Sequence, residues 1–219
     1  MIFSDVRLER MALADLPRLE TLVGVDRLFL TRTPISDLSG IAGLTRLLVL
    51  GLRLTRVFDV GPLAGLTALE SLILSFTPVV DVRPLAGLIG LRSLYLTGTL
   101  VADIAPLAGL VGLTRLDLGG TAVADLRPVA GLLDMESLQL SSSAVTDLSP
   151  LAGLTRLRVL ELGDTKVSDL SPLAGLTALR RLDIRGTLVT DYSVLAGLVR
   201  CEIVSSATFR RRRGDAPKT

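Results

Sequence analysis

Histidine, tryptophan and asparagine are absent from the 219-residue sequence, and cysteine occurs once. Histidine is the most frequent general base and the commonest metal ligand, so its absence leads us to expect no catalytic site, no metal site and no cofactor. The single cysteine, Cys201, excludes an internal disulfide and is typical of a reducing compartment. Without asparagine the chain has no acceptor for N-glycosylation.

Long uncharged apolar runs are also missing, although 49% of the residues are hydrophobic. No run approaches the roughly 18 residues that a membrane span needs, so we expect the hydrophobic residues to form a core. Asp5, Arg7, Glu9 and Arg10 occupy the stretch where a secretory signal peptide would have an apolar block. We therefore expect a cytoplasmic protein, with export as an effector by another route left open. Only two of the 24 basic residues are lysine, a bias typical of GC-rich bacterial genomes.

The dominant feature of the sequence is a repeat of 22 residues without insertion or deletion. Leu47–Ala68 and Leu157–Ala178 have apolar residues at most of the same positions. A fixed short period predicts a solenoid, in which each coil buries its apolar side against its neighbours. We divide the chain into a degenerate N-terminal repeat or cap (1–24), eight full repeats (25–200), a partial C-terminal repeat or cap (201–209) and a basic flexible tail (210–219).

Each repeat is numbered here in columns 1 to 22, beginning at residues 25, 47, 69, 91, 113, 135, 157 and 179. Columns 4 and 6 are Leu or Ile in all eight repeats, and apolar residues at period 2 predict a short half-buried strand. Column 13 is Asp in every repeat and column 16 is Pro in six, which predicts an N-cap or Asx-turn opening a short helical segment.

Three further columns have nearly constant small residues. Column 19 is always Gly, which predicts a positive φ or a close backbone approach. Column 18 is always Ala, which predicts tight packing of the convex side. Column 9 is Thr in seven repeats and Ser in one, and we expect its hydroxyl to bond the backbone of the next coil.

The pattern LxxLxL–xxTxVxDLxPLAGLTx resembles the leucine-rich repeat, in the 22-residue class found in internalins and in phosphatase regulators. The resemblance covers residues 3–209 and departs from the family at column 9, where Asn is usual and Thr or Ser stands here. It implies an α/β solenoid, a horseshoe with a concave parallel sheet of about nine to ten short strands and short helical or irregular convex segments. For function it implies recognition in general and no particular partner.

Columns 3, 5, 7 and 8 are expected to face outward on the concave side and to carry the specificity. An apolar cluster there predicts a protein interface, although packing of these side chains on adjacent coils is the alternative. The apolar members are Phe29, Val49, Leu54, Ile73, Phe76 and Tyr95. The polar extension of the predicted interface is Asp117, Gln139, Glu161 and Asp183. We expect the partner to be another protein, bound without catalysis.

Three alternatives stay open at this point. Glu161 and Asp183, one strand apart, could bind Ca²⁺ or act as acid and base; we favour a solvated charged strip or one paired with nearby arginines, with no metal. Arg210–Arg213 could bind nucleic acid or an anionic surface, although we expect a solubilising tail and no nucleic acid. Weakly capped ends, with Ser206 in a core column, predict a monomer or a weak homo-oligomer that associates through the solenoid ends.

Overall fold

The computed structural model describes residues 4–12, 14 and 18–206. Ten three-residue strands form one parallel sheet in which every strand lies beside its neighbours in sequence. The strands are β1 (Asp5–Arg7), β2 (Arg27–Phe29), β3 (Val49–Gly51), β4 (Ser71–Ile73), β5 (Ser93–Tyr95), β6 (Arg115–Asp117), β7 (Ser137–Gln139), β8 (Val159–Glu161), β9 (Arg181–Asp183) and β10 (Glu202–Val204). The predicted solenoid with a concave parallel sheet is therefore confirmed.

A short 3₁₀ helix lies between each pair of consecutive strands of the described chain. These helices are Leu19–Thr21, Ser39–Ile41, Gly61–Leu63, Arg83–Leu85, Ala105–Gly109, Arg127–Val129, Ser149–Leu151, Ser171–Leu173 and Ser193–Gly197. In all eight full repeats, Oδ1 of the column 13 aspartate accepts a hydrogen bond from the backbone N–H two residues later, at 2.8–2.9 Å. The N-cap is the intervening residue, so the aspartate forms an Asx-turn and is not the cap itself.

The core is one continuous cluster that runs the length of the solenoid. Each coil contributes the apolar residues of columns 1, 4, 6, 11, 14, 17 and 20, and nearly all of them are fully buried. In the repeat that starts at residue 91 they are Leu91, Leu94, Leu96, Val101, Ile104, Leu107 and Leu110. Cys201 is buried in the same cluster, as expected.

The column 9 hydroxyls bond within their own coil, so the expected bond to the next coil is wrong. Each threonine Oγ1 donates to the carbonyl three residues earlier, as in the 2.6 Å bond from Thr121 to Leu118. The same bond recurs at every column 9 threonine of the full repeats, at 2.6–2.7 Å. Ser143, the one serine in this column, is buried and its Oγ has no partner.

Removing the hydroxyl should therefore cost stability at Thr121 but not at Ser143. Thr121→Val deletes a buried hydrogen bond, and we expect the free energy of unfolding to fall by about 1 kcal/mol. Ser143→Ala deletes an unpaired buried hydroxyl, and we expect no loss or a small gain. Urea denaturation of both variants checks this, and an equal loss in the two would contradict it.

Both predictions for the small convex residues are wrong. None of the column 19 glycines has a positive φ, and a Cβ at any of them would meet nothing within 4 Å. The alanines of column 18 are exposed in all eight repeats and are not tightly packed. Nothing in the structure explains why column 19 is invariably glycine.

Alanine should consequently be tolerated at column 19. Gly131 has an ordinary φ and open space around it, so Gly131→Ala mainly reduces the freedom of the unfolded chain. We expect the free energy of unfolding to rise by about 0.4–1 kcal/mol. Thermal and urea unfolding measure the change, and a loss of stability would mean that the invariant glycine has a role in the folded state.

The positive φ that the glycines suggested occurs instead at column 8, directly after each strand. The residue at this column lies in the left-handed region in nine consecutive coils, with φ between 58° and 67°. Three of the nine are glycine: Gly98, Gly120 and Gly186. The other six are Arg10, Arg32, Leu54, Phe76, Ser142 and Asp164.

The last strand departs from the period by one residue. Val204 pairs with Asp183 and Ile203 with Leu182, an interval of 21 residues where every earlier pair of strands has 22. The prediction that Ser206 occupies a core column is therefore wrong. Ile203 takes the core position, and the Ser206 hydroxyl accepts a hydrogen bond from the Gly186 N–H at 3.0 Å.

Candidate functional site

The outward side chains of β4, β5 and β6 surround an open cavity of about 540 Å³. Ile73 and Tyr95 are directly paired in register on β4 and β5, and Asp117 follows in register on β6. Phe76, just beyond the end of β4, lines the same cavity. Four of the ten predicted interface residues are therefore brought together: Ile73, Phe76, Tyr95 and Asp117.

Arg53 is a lining residue that the sequence reasoning missed. Its guanidinium carbon lies 4.8 Å from the centre of the Phe76 ring, within range of a cation–π interaction. No carboxylate of the described chain pairs with Arg53 within 4.0 Å. The repeat pattern contained a sequence signal for this contact. Arg53 occupies column 7, which adjoins column 8 of the next coil, where Phe76 lies.

Hydroxyl groups complete the wall of the cavity. Ser71, Ser75 and Thr97 line it alongside the apolar side chains. Tyr95 is half-buried and so offers both a ring face and a hydroxyl to the cavity. Apolar surface with a few converging polar groups is the composition typical of a binding site for a partner side chain.

Phe76, in the cavity wall, has a left-handed backbone conformation that is unfavourable for phenylalanine. Its φ is 60°, a region that a bulky side chain rarely adopts. The ring lies over Gly98 of the next coil, where a Cβ would approach Phe76 Cδ1 to 2.6 Å. Leu54 has the same backbone geometry, with φ 58° and a side chain 38% exposed. The same φ recurs at column 8 of nine coils, so this backbone geometry belongs to the repeat, and Leu54 and Phe76 are the bulky apolar residues that occupy it.

The other predicted apolar residues lie outside the cavity. The Phe29 ring packs over Gly51, where a Cβ would approach Phe29 Cδ1 to 2.7 Å, and Arg7 lies 4.7 Å from the ring centre. Val49 is half-buried on β3, in register with Arg27 and Ser71. For Phe29 the alternative of packing on the adjacent coil thus describes what the structure shows.

The acidic half of the predicted interface is largely occupied by ion pairs. Arg181 Nε donates to Glu161 Oε1 at 2.8 Å, and both Asp183 oxygens accept hydrogen bonds from the Arg185 guanidinium. Gln139 is exposed and lies in register between Asp117 and Glu161. In the described part of the chain, no three His, Cys, Asp or Glu residues converge as metal ligands would.

Acid should destabilise the fold through these carboxylates. Hydrogen bonds from Arg185 hold the pKa of Asp183 below its usual value, and bonds from the residue two positions later lower the pKa of Asp37, Asp81, Asp125, Asp147 and Asp191. A carboxyl group whose pKa is lower in the folded than in the unfolded state stabilises the fold above the unfolded pKa of about 3.9. This stabilisation is lost as the pH falls. We expect a constant free energy of unfolding from pH 7 to about 5 and a decline below about pH 4.

The control for this pH dependence is Asp183→Asn. It should be less stable than wild type at pH 7 and should lose less on acidification, because one of the linked protons is gone. Urea denaturation at several pH values measures both effects. A wild-type stability that stays constant below pH 4 would contradict the prediction.

A second exposed apolar row lies away from the sheet. Ile89, Val111 and Leu133 occupy column 21 of three consecutive coils, in the turn that leads from the 3₁₀ helix to the next strand, and are 58–68% exposed. None of the three lines the concave cavity. Separately, no helix among the described residues is both long enough and apolar enough to cross a membrane.

Comparisons with known proteins agree with this architecture. A family model for leucine-rich repeats (2 copies) matches residues 155–197. Internalin C2 from Listeria monocytogenes is 35% identical, with a TM-score of 0.82 over 84% of this chain and 81% of that one. Internalin F from the same organism is 27% identical, with a TM-score of 0.78 over 93% of this chain and 66% of that one.

A more distant structure shares the fold alone. The plant peptide hormone receptor RGFR1, solved in complex with RGF2, is 16% identical, with a TM-score of 0.75 over 92% of this chain and 35% of that one. None of the curated proteins matches the sequence. The similarity to internalin C2, at 35% identity, extends over most of both chains. The chain therefore belongs to the internalin-like leucine-rich-repeat proteins.

Proposed function

We propose that this chain is a non-catalytic scaffold that binds a partner protein on its concave face. Leucine-rich-repeat proteins are commonly scaffolds for protein–protein interaction and are typically without catalysis. The observation that carries the proposal is the concave cavity, in which Ile73, Phe76 and Tyr95 expose apolar surface that the core does not need. Exposed aromatic and aliphatic side chains around a concavity are the usual anchors of protein interfaces.

The geometry supports binding with little reorganisation. Each strand that carries the cavity is hydrogen-bonded on both sides, and the core beneath it is fully buried. A partner that enters a preformed surface loses little affinity to the ordering of loops. The bacterial origin and the cytoplasmic location expected from the composition remain predictions.

A random 12-residue peptide display library, selected on the full chain, tests the proposed function. We expect binders that are lost with Ile73→Ser/Tyr95→Ser and retained with Ile89→Ser/Val111→Ser, which removes equally apolar side chains from the other exposed row. Circular dichroism and thermal unfolding establish that both variants are folded. If binders are lost only with Ile89→Ser/Val111→Ser, the binding site lies on the convex turn and the proposal is wrong.

Neither alternative function gains support from the described residues. Arg210–Arg213 lie outside them, so binding of nucleic acid or an anionic surface by the tail stays a prediction. End-to-end association would continue the sheet from β10 of one copy to β1 of the next. In the register of the other strands this places Glu202 opposite Asp5, two like charges at a directly paired position.

A further inference from the structure

Two carboxylates at the concave columns of the described chain, Asp117 and Asp164, have no ion pair with an arginine, and of the two only Asp117 lines the cavity. The others at columns 3, 5 and 7 of the described chain each lie within 4.0 Å of an arginine nitrogen: Asp5, Glu9, Glu161 and Asp183. Asp117 has no such ion pair, and Arg115 on the same strand is not within 4.0 Å of it. The one hydrogen bond to its carboxylate within the described chain comes from the Gly119 N–H to Oδ1, at 3.0 Å.

The chain contains an internal reference for this carboxylate. Asp183 occupies the same column three coils later and accepts the same backbone bond, from the Arg185 N–H at 3.0 Å. In that coil the arginine side chain then covers both carboxylate oxygens. In the coil of Asp117 the equivalent residue is Gly119, which has no side chain to do so. Among the described residues, Asp117 thus lacks the arginine partner that Asp183 has.

We propose that the cavity binds a basic–apolar segment of the partner polypeptide. An aromatic or aliphatic side chain of that segment packs between Ile73, Phe76 and Tyr95, and a neighbouring Lys or Arg side chain pairs with Asp117. The inference rests on the proposed function and specifies the chemistry of the partner. A half-buried carboxylate beside apolar side chains attracts a cation more strongly than a fully solvated one does.

The strand spacing sets the distance between the two side chains. At about 4.8 Å per strand, the middle of the Ile73–Tyr95 pair is about 7 Å from Asp117. Two residues of an extended chain cover the same distance, so the apolar and basic residues should stand at positions i and i+2. Arg53, about three strands from Asp117 across the cavity, repels a cation at the opposite end and thereby fixes the direction of the segment.

Binders from the peptide library described above test this inference. We expect enrichment of Lys or Arg two residues from an aromatic or aliphatic residue. Fluorescence anisotropy of a labelled selected peptide should show about tenfold or greater weakening with Asp117→Asn, the loss expected for a hydrogen bond to a charged group. Asp164→Asn is the matched control, because it removes an exposed carboxylate from the same face outside the cavity.

Gly119→Arg provides a second variant that supplies the missing cation within the chain. Gly119 has an ordinary φ, and the nearest atom to a Cβ there would be Asp117 Oδ1 at 3.3 Å. The arginine can therefore cover Asp117 as Arg185 covers Asp183. We expect the same loss of peptide binding as with Asp117→Asn, with the fold retained in thermal unfolding.

The possible outcomes separate this inference from the proposed function. Peptides that depend on Ile73 and Tyr95, but lack the basic residue and bind Asp117→Asn as tightly as Asp164→Asn, would overturn the inference and leave the function standing. A library without any binder that depends on the concave cavity would overturn both. Loss of binding with Asp117→Asn and Gly119→Arg, but not with Asp164→Asn, is the result we expect.

Discussion

Leu116→Ala is expected to lower the free energy of unfolding by about 2–5 kcal/mol. Leu116 is the middle residue of β6, is 1% exposed, and pairs in register with Leu94 and Leu138. Because each coil of a solenoid packs on the coils beside it, a cavity in a central coil loses contacts on both sides. Urea denaturation followed by circular dichroism measures the loss.

Ile203→Ala is the control for this substitution. Ile203 has the same strand position in β10, but it is half-buried and has a neighbouring strand on one side within the described chain. We expect it to cost less than about 2 kcal/mol, because fewer packing contacts are lost and the last coil can relax. Equal losses at the two positions would show that the ends of the solenoid are packed as tightly as its centre.

The buried columns could be predicted because eight repeats test each of them. Leu or Ile at columns 4 and 6 in every repeat indicates a strand with one buried face, and the structure buries both columns. The Asx-turn at column 13 was predictable for the same reason. Periodicity thus determines the positions whose environment repeats, which are the core and the turns.

The invariant glycines did not indicate where the backbone has a positive φ. The invariance of glycine at column 19 suggested a positive φ, whereas the left-handed residue stands at column 8, where Gly occurs in three coils of nine. The other six coils have Arg twice, Ser, Asp, Leu54 and Phe76 at this column, and this variety obscured the pattern. A backbone geometry that several residue types tolerate leaves a weaker sequence signal than one that admits glycine alone.

The residues of the concave face could be predicted from the sequence. Which of these residues line a common cavity could not. The outward columns follow from strand alternation, and the structure groups Ile73, Phe76, Tyr95 and Asp117 around one cavity. Phe29 does not line this cavity, although its ring lies over a glycine of the next coil as that of Phe76 does, and the column pattern does not distinguish the two residues. The one-residue shift of β10 could not be predicted from the sequence, because Cys201 still lies 22 residues after the buried Leu179. The shift is seen only in the pairing of Ile203 with Leu182.

Phe76→Gly should change stability far less than Phe29→Gly. The two phenylalanines have matched surroundings: each stacks with an arginine at 4.7–4.8 Å and lies over a glycine of the next coil. They differ in backbone, because Phe29 ends a strand whereas Phe76 has φ 60°. At Phe76, relief of roughly 1–2 kcal/mol of left-handed strain offsets the lost packing, and we expect a net change within about 1 kcal/mol.

At Phe29 no strain is relieved, and glycine in a strand adds an entropic cost to the lost packing. We therefore expect Phe29→Gly to lower the free energy of unfolding by about 2 kcal/mol or more. Binding of the selected peptides should respond in the opposite order, with a large loss for Phe76→Gly and little change for Phe29→Gly. Urea denaturation and peptide anisotropy measure the two quantities. If Phe76→Gly destabilises the fold as much as Phe29→Gly and leaves peptide binding intact, then Phe76 serves the fold, and its unfavourable backbone is not retained for recognition.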